Sequence, residues 1–145
     1  MTAKKILARS AAVALLALML ACSKSDQPMP LTKENIQSYR DKLVESQNAL
    51  TTKDREKARN SAEGEAELFS RTFVKPMEDL GYSYDKTIRL YAGSIVEGRI
   101  PAGDPEVKTM AEGVVLMAKM TGDVALKNGF ITDETKKMLD RINVK

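Results

Sequence analysis

The one thiol in the chain, Cys22, is the side chain with the clearest capacity for chemistry. A cysteine thiolate is nucleophilic enough to be alkylated under mild conditions, a reaction for which serine is no substitute. Basic residues at the start of the chain precede an uninterrupted apolar run over 11–21, which ends directly before this cysteine. Such a run is typical of an export signal, and it is shorter than the roughly 20 apolar residues of a membrane-spanning helix. The pattern predicts a signal peptide over residues 1–21.

The residues from Leu18 to Cys22 resemble the lipobox of bacterial lipoproteins. In that family a small residue precedes the cysteine, as Ala21 does here, and Met19 stands where leucine is most frequent. The resemblance, which covers residues 1–22, implies cleavage between Ala21 and Cys22, a diacylglycerol on the Cys22 sulfur and an acyl group on its new amino terminus. Because each buried CH₂ contributes about 0.8 kcal/mol, two or three acyl chains hold a protein at a membrane without a spanning helix.

Polar residues and prolines dominate residues 22–30, and we expect this segment to be a flexible tether between the lipid and a single domain over residues 31–145. Position 23 is serine. In the enterobacterial lipoproteins that the signal resembles, an aspartate directly after the lipidated cysteine favours retention in the inner membrane. Ser23 therefore favours a lipid-anchored protein of the cell envelope, in the outer membrane and facing the periplasm.

The charges of the chain give no sign of a nucleic-acid partner. Lys4, Lys5 and Arg9 lie in the predicted signal and account for the formal net charge of +3, so the remaining chain is balanced. Nucleic-acid binding needs a basic face that displaces counterions from phosphates, and no basic stripe is present. We expect the membrane, through the lipid on Cys22, and an envelope protein as partners, and no nucleic acid.

The composition also narrows the possible catalysis. With 0 histidines, the chain can form no histidine triad and no imidazole metal site. If Cys22 carries lipid, thiolate metal sites and cysteine nucleophiles are excluded as well. No glycine-rich phosphate loop is present. We expect no cofactor, no bound metal and no enzymatic activity.

Apolar residues recur every three or four positions after the tether, which predicts helices, and no alternating run predicts a strand. A long helix is expected from Ala58 to Leu80, kinked at Pro76 and ended by Gly81. The expected fold class is all-α, a small antiparallel bundle of five to six helices. The predicted helix starts are Thr32, Thr51 or Thr52, Ser83, Asp104 before Pro105, a position near Asp123, and Thr132.

Two pairs of neighbouring residues, each with at least one carboxylate, could be functional groups. Glu63 and Glu67 lie one helical turn apart and could bind a cation, although a solvated face with Glu67 paired to Arg71 is favoured. The pair of Glu45 and Ser46 resembles the Glu-Ser pair of lytic transglycosylases, lipid-anchored helical enzymes that cleave peptidoglycan with one acidic residue. The Gly-Leu-Met-Gln and Ala-Tyr-Asn segments of that family are absent from this chain.

Tyr82 and Tyr84, beside the glycine break, could form a partner surface together with Met120, or the two tyrosines could pack at the helix junction. Tyrosine combines apolar area with a polar hydroxyl, and methionine adapts its shape to a partner. Met110 and Met117 share the apolar side of their helix and are expected in the core, which leaves Met120 exposed.

Three functions remain open from the sequence. The preferred one is a non-catalytic interaction domain, held at a membrane by lipid, which acts as an assembly component or as an inhibitor or immunity protein. The second is a carrier of a lipid or another apolar ligand, which requires a sizeable apolar cavity. The third is a peptidoglycan-cleaving enzyme that uses Glu45, which requires this side chain in an open cleft.

Overall fold

A computed structural model describes residues 26–100 and 104–143, and all regular structure within these ranges is helical. The prediction of an all-α fold is confirmed for this part of the chain. The predicted signal peptide, its cleavage site and Cys22 lie outside the described residues. The helices are α1 (Lys33–Asn48), α2 (Thr52–Asn60), α3 (Ala62–Phe69), a π-helical turn (Ser70–Val74), α4 (Lys75–Asp79), α5 (Tyr84–Val96), α6 (Pro105–Met120), α7 (Gly122–Lys127) and α8 (Asp133–Asp140).

Five of the predicted helix starts are confirmed by capping hydrogen bonds. The side chains of Thr32, Thr51, Ser83, Asp104 and Thr132 each accept a hydrogen bond from a backbone N–H in the first turn of the following helix. These N–H groups have no partner within a helix, so a side-chain acceptor directly before the helix stabilises its first turn. The cap residues therefore fix where α1, α2, α5, α6 and α8 begin.

The long helix predicted from Ala58 to Leu80 is wrong as one continuous element, because the chain turns sharply at Ser61 between α2 and α3. The Ser61 hydroxyl donates to the Lys57 carbonyl at 3.1 Å and accepts from the Gly64 N–H at 2.9 Å, which ends one helix and starts the next. A Cβ added to Gly64 would lie 2.2 Å from the Lys57 carbonyl oxygen, so only glycine allows this approach. The break is one reason why the described residues contain eight α-helical segments instead of five or six.

The hydrophobic core lies where α5 packs on α6 and α8, and where α1 packs on α6 and α4. Its side chains come from every described helix except α2, and three of the four tyrosines contribute to it. No helix among the described residues is both long enough and apolar enough to cross a membrane. The largest fully buried side chains are Tyr39, Tyr91, Met29, Ile36, Met77, Ile88, Leu139, Val115, Thr87 and Thr135.

The described end of the predicted tether packs against α5, which corrects the expectation that residues up to 30 are free. Met29 is fully buried, and its N–H donates to the Thr87 hydroxyl at 2.8 Å. The Tyr91 hydroxyl donates to the Pro30 carbonyl at 3.1 Å. Because Met29 fills a place in the core, the folded domain begins before residue 31.

Candidate binding surface

A groove with a volume of about 370 Å³ lies between α1 and α6, and we call it the α1–α6 groove. Leu43 and Val44 form its apolar wall on α1, and Met110, Val114 and Met117 are the large apolar side chains on the α6 side. Gly113 also lines it, and a Cβ added there would meet nothing within 4 Å, so the backbone is open to approach. Arg40, Gln47 and Thr109 complete the lining with polar groups.

Exposed apolar side chains surround this groove. Val44, in its wall, is 57% exposed, and Met120, three residues along α6 from Met117, is 78% exposed. Residues three apart are neighbours on a helix surface, so Met120 extends the apolar lining beyond the groove. Apolar groups gathered around a concave surface are typical of an interaction site.

The three predicted partner-surface residues have different environments. Met120 is exposed, as expected from its position on α6. Tyr82 is half-buried and packs on the core. Tyr84 is only 4% exposed, and its ring meets Phe69 edge-on with a centroid distance of 5.8 Å, so the expectation that Tyr84 faces a partner is wrong. Burial also raises the pKa of the Tyr84 hydroxyl, which keeps this group neutral.

The π-helical turn at Ser70–Val74 has a local cause in Pro76. Proline has no N–H to donate and its ring clashes with the carbonyl four residues before it, here that of Thr72. The helix widens at this point, and the N–H of Lys75 donates to the Ser70 carbonyl five residues back. The predicted kink at Pro76 thus takes the form of a π turn, a feature that is frequent at functional sites.

The turn leaves the Thr72 hydroxyl buried without a hydrogen-bond partner among the described residues. In a regular α-helix a threonine hydroxyl can bond to the carbonyl three or four residues back, but no such bond forms here. A buried polar group without a partner costs about 1–3 kcal/mol. Thr72 is only 5% exposed, and it lines a second cleft at the surface.

We call this second opening the Thr72 cleft, and its volume is about 470 Å³. It lies among the end of α1, the helices α2, α3 and α7, and the π turn, and it shares Gln47 with the α1–α6 groove. Phe69 lines it and stacks on Phe130 at a centroid distance of 5.3 Å. Its apolar lining consists of Leu50, Leu68, Phe69, Phe73 and Val124, and its polar lining of Gln47, Arg55, Glu65, Thr72 and Thr121.

The charged groups around the Thr72 cleft are paired in an unexpected way. Glu67 pairs with Lys57 at 3.0 Å, so the expected pair of Glu67 with Arg71 is wrong. Arg71 pairs instead with Asp54 at 3.2 Å, because the break at Ser61 folds α2 back onto α3. Among the described residues, Arg55 and Glu65 form no ion pair.

The candidate catalytic residue Glu45 is exposed on α1 and lines neither the α1–α6 groove nor the Thr72 cleft. Glu63 is exposed as well. Within residues 26–100 and 104–143, no group of three or more acidic side chains is arranged to hold a metal ion. The cation site considered for Glu63 and Glu67 has no further acidic ligand to complete it.

The sequence reasoning missed three residues that define these openings. Val44 lies directly beside the core residue Leu43 and was not considered as surface. Nothing in the sequence around Gly113 indicates that this residue lines a groove. Thr72 could have been found from Pro76, because a proline inside a helical pattern displaces the carbonyl four residues earlier.

Comparison with known proteins gives no match: no family model, no curated protein and no solved structure is similar to this chain.

Proposed function

We propose that this chain is a lipid-anchored protein of the cell envelope whose helical domain binds another envelope protein without catalysing a reaction. The anchor is the lipid on Cys22, in the outer membrane, and the domain faces the periplasm. The domain uses no cofactor, metal or nucleic acid. The observation that carries the proposal is the open α1–α6 groove, with exposed Val44 in its wall and exposed Met120 one helical turn beyond its lining residue Met117.

The groove suits one apolar face of a partner helix. A groove between two helices accepts side chains that recur every three or four residues along such a face. Full burial of a large apolar side chain contributes about 1.5–3 kcal/mol, so covering Val44 and Met120 would supply much of a moderate affinity. Membrane tethering raises the local concentration of the domain near an envelope partner, which adds avidity without new contacts.

The other two functions have less support. A carrier has to enclose its apolar ligand, whereas the α1–α6 groove and the Thr72 cleft both open to the surface. A peptidoglycan-cleaving enzyme needs its acid in an open cleft, whereas Glu45 is exposed on α1 and lines neither the α1–α6 groove nor the Thr72 cleft. An assembly component or an inhibitor of an envelope enzyme fits an open groove, and both belong to the proposed class.

We also infer that the helices form an antiparallel bundle. The connections between α2 and α3 and between α7 and α8 are short, and the helices of each pair pack together. Short connections between packed helices favour antiparallel neighbours. The proposal concerns the directions of the helices, and the binding function does not depend on it.

Photo-crosslinking in the native envelope tests the function. A photoreactive residue at Val44 or Met120 should give the same discrete adduct with one envelope protein, because both positions border the groove. A photoreactive residue at Lys137, which is exposed on α8, serves as the control and should not give that adduct. Substitution of Met120→Glu should abolish the adduct formed from Val44. Equal adducts from all three positions, or none from Val44 and Met120, would contradict the proposal.

A further inference from the structure

We propose that the Thr72 cleft is a separate site for a small aromatic zwitterion, a molecule with an aromatic ring, a carboxylate and an ammonium group, as in an aromatic amino acid. The cleft is distinct from the α1–α6 groove and touches it only at Gln47. The inference therefore goes beyond the proposed function and does not depend on it.

The lining of the cleft favours an aromatic body. Phe69 lies at the centre of an aromatic cluster, with ring centroids 5.0 Å from Phe73 and 5.3 Å from Phe130. Phe73 also lines the cleft and is only partly buried, so a ligand ring packed on Phe73 would extend the existing cluster. The volume of about 470 Å³ is within the usual range of roughly 300–1,000 Å³ for small-molecule sites.

The charges at the cleft favour a zwitterion. Arg55 from α2 and Glu65 from α3 both line it, and neither forms an ion pair within the described residues. Their neighbours Asp54 and Glu67 are already paired with Arg71 and Lys57. A guanidinium binds a carboxylate through paired hydrogen bonds, and a carboxylate accepts from an ammonium group. One free cation and one free anion at the same opening match a ligand that carries both charges.

The hydroxyl groups argue against a purely apolar occupant. The buried Thr72 hydroxyl has no partner in the described chain, and a lipid tail would leave it so. The Thr121 hydroxyl donates to the Met117 carbonyl at 2.8 Å, so it already has a partner. A ligand with polar atoms can offer the Thr72 hydroxyl a partner, which a hydrocarbon cannot.

Indole fluorescence offers a direct test, because the chain contains 0 tryptophans. The acylated protein is placed in phospholipid nanodiscs and titrated against L-tryptophan, with empty nanodiscs as the blank. Saturable binding is expected. Tryptamine, which lacks the carboxylate, and indole-3-propionate, which lacks the ammonium group, should each bind at least about fivefold more weakly, because each loses a charge-assisted hydrogen bond. Decanoate should not displace tryptophan.

Variants assign the binding to the cleft. Arg55→Gln should remove the preference for tryptophan over tryptamine. Glu65→Gln should remove the preference for tryptophan over indole-3-propionate. The matched controls Arg59→Gln and Glu63→Gln, exposed on the same two helices and outside the lining, should keep both preferences. Thr72→Val should weaken binding about fivefold while raising resistance to urea, and Thr72→Ser should retain the affinity.

Three results would each overturn the inference. One is the absence of saturable tryptophan binding to the folded protein. Another is binding that Arg55→Gln, Glu65→Gln and Thr72→Val leave unchanged. The third is binding that decanoate displaces. Because Thr72→Val is expected to raise stability and lower affinity, a loss of folding cannot imitate the expected result.

Discussion

The hydroxyl of Tyr39 donates a hydrogen bond of 2.8 Å to the backbone carbonyl of Phe73, which ties α1 to the π-helical turn beside the Thr72 cleft. Tyr39 is 1% exposed, and burial raises the pKa of its hydroxyl, so the group stays protonated and able to donate. We expect Tyr39→Phe to lower the free energy of unfolding by about 1 kcal/mol, the usual net value of one such bond. Urea unfolding followed by circular dichroism measures the loss.

Tyr82→Phe is the matched control for this prediction. Tyr82 is half-buried, and its hydroxyl makes no hydrogen bond to another described residue. We expect this change to stay within about 0.5 kcal/mol. Equal losses in Tyr39→Phe and Tyr82→Phe would show that the bond to Phe73 contributes nothing specific.

Substitution by alanine should change the stability of the fold in opposite directions at two glycines. A Cβ at Gly64 would lie 2.2 Å from the Lys57 carbonyl oxygen, so the backbone between α2 and α3 has to move. Gly64→Ala should cost about 2 kcal/mol or more. Gly113, inside α6, has open space around it, and Gly113→Ala should gain up to about 1 kcal/mol from helix propensity. Thermal unfolding of both variants measures the difference, and a stable Gly64→Ala would refute the close approach at Ser61.

Arg89 connects α5 to the start of α8. Its guanidinium donates to Asp85 at 3.0 Å, to Thr132 at 2.9 Å, to Thr135 at 3.1 Å and to Glu134 at 3.2 Å. A lysine ammonium cannot reproduce this planar fork. Arg89→Lys should therefore lower the free energy of unfolding by about 1–2 kcal/mol and speed hydrogen exchange in α8.

Lys86→Gln provides the comparison for Arg89, because Lys86 forms an exposed ion pair with Asp26 at 2.9 Å. An exposed pair contributes about 0–1 kcal/mol, so this variant should change stability little and leave exchange in α8 unaltered. If both variants gave the same exchange rates, the role of Arg89 in holding α8 would be refuted.

Asp54 should make the stability of α2 depend on pH. Its carboxylate accepts from the Thr51 N–H at 2.9 Å, and this bond, together with the Thr51 hydroxyl and Arg71, lowers the pKa of Asp54 below its usual value. A carboxyl group whose pKa is lowered by folding stabilises the fold at pH values above its pKa in the unfolded chain, about 3.9. This contribution is lost as the pH falls through the pKa of the group in the folded chain. The free energy of unfolding should fall with acid more steeply in the native chain than in Asp54→Asn. The same dependence of the free energy of unfolding on pH in both chains would contradict this role of Asp54.

The helix starts could be predicted because capping is local: Thr32, Ser83 and Thr132 need only the two or three residues that follow them. The break at Ser61 could not be predicted, since it depends on the close approach of Gly64 in α3 to the Lys57 carbonyl in α2. The packing of Met29 was missed for the same reason. Its partner Thr87 is 58 residues away in the sequence, and a composition rich in proline and polar residues does not reveal that contact.

The candidate surface was partly predictable. The exposure of Met120 follows from its position relative to Met110 and Met117 on α6, which periodicity alone gives. Tyr84 is buried against Phe69, a residue of α3, and periodicity within α5 does not reveal that contact. The unpaired hydroxyl of Thr72 lies in the π turn before Pro76, so the proline marks its position, whereas its burial depends on packing that residue types do not reveal.

Mass spectrometry of the intact protein, purified from its native membrane, tests the lipid anchor most directly. The proposed function predicts a chain that begins at Cys22 and carries a diacylglycerol on its sulfur and an acyl group on its amine. A product that retains its first methionine, or that has a free thiol at Cys22, would contradict the anchor and the envelope location together.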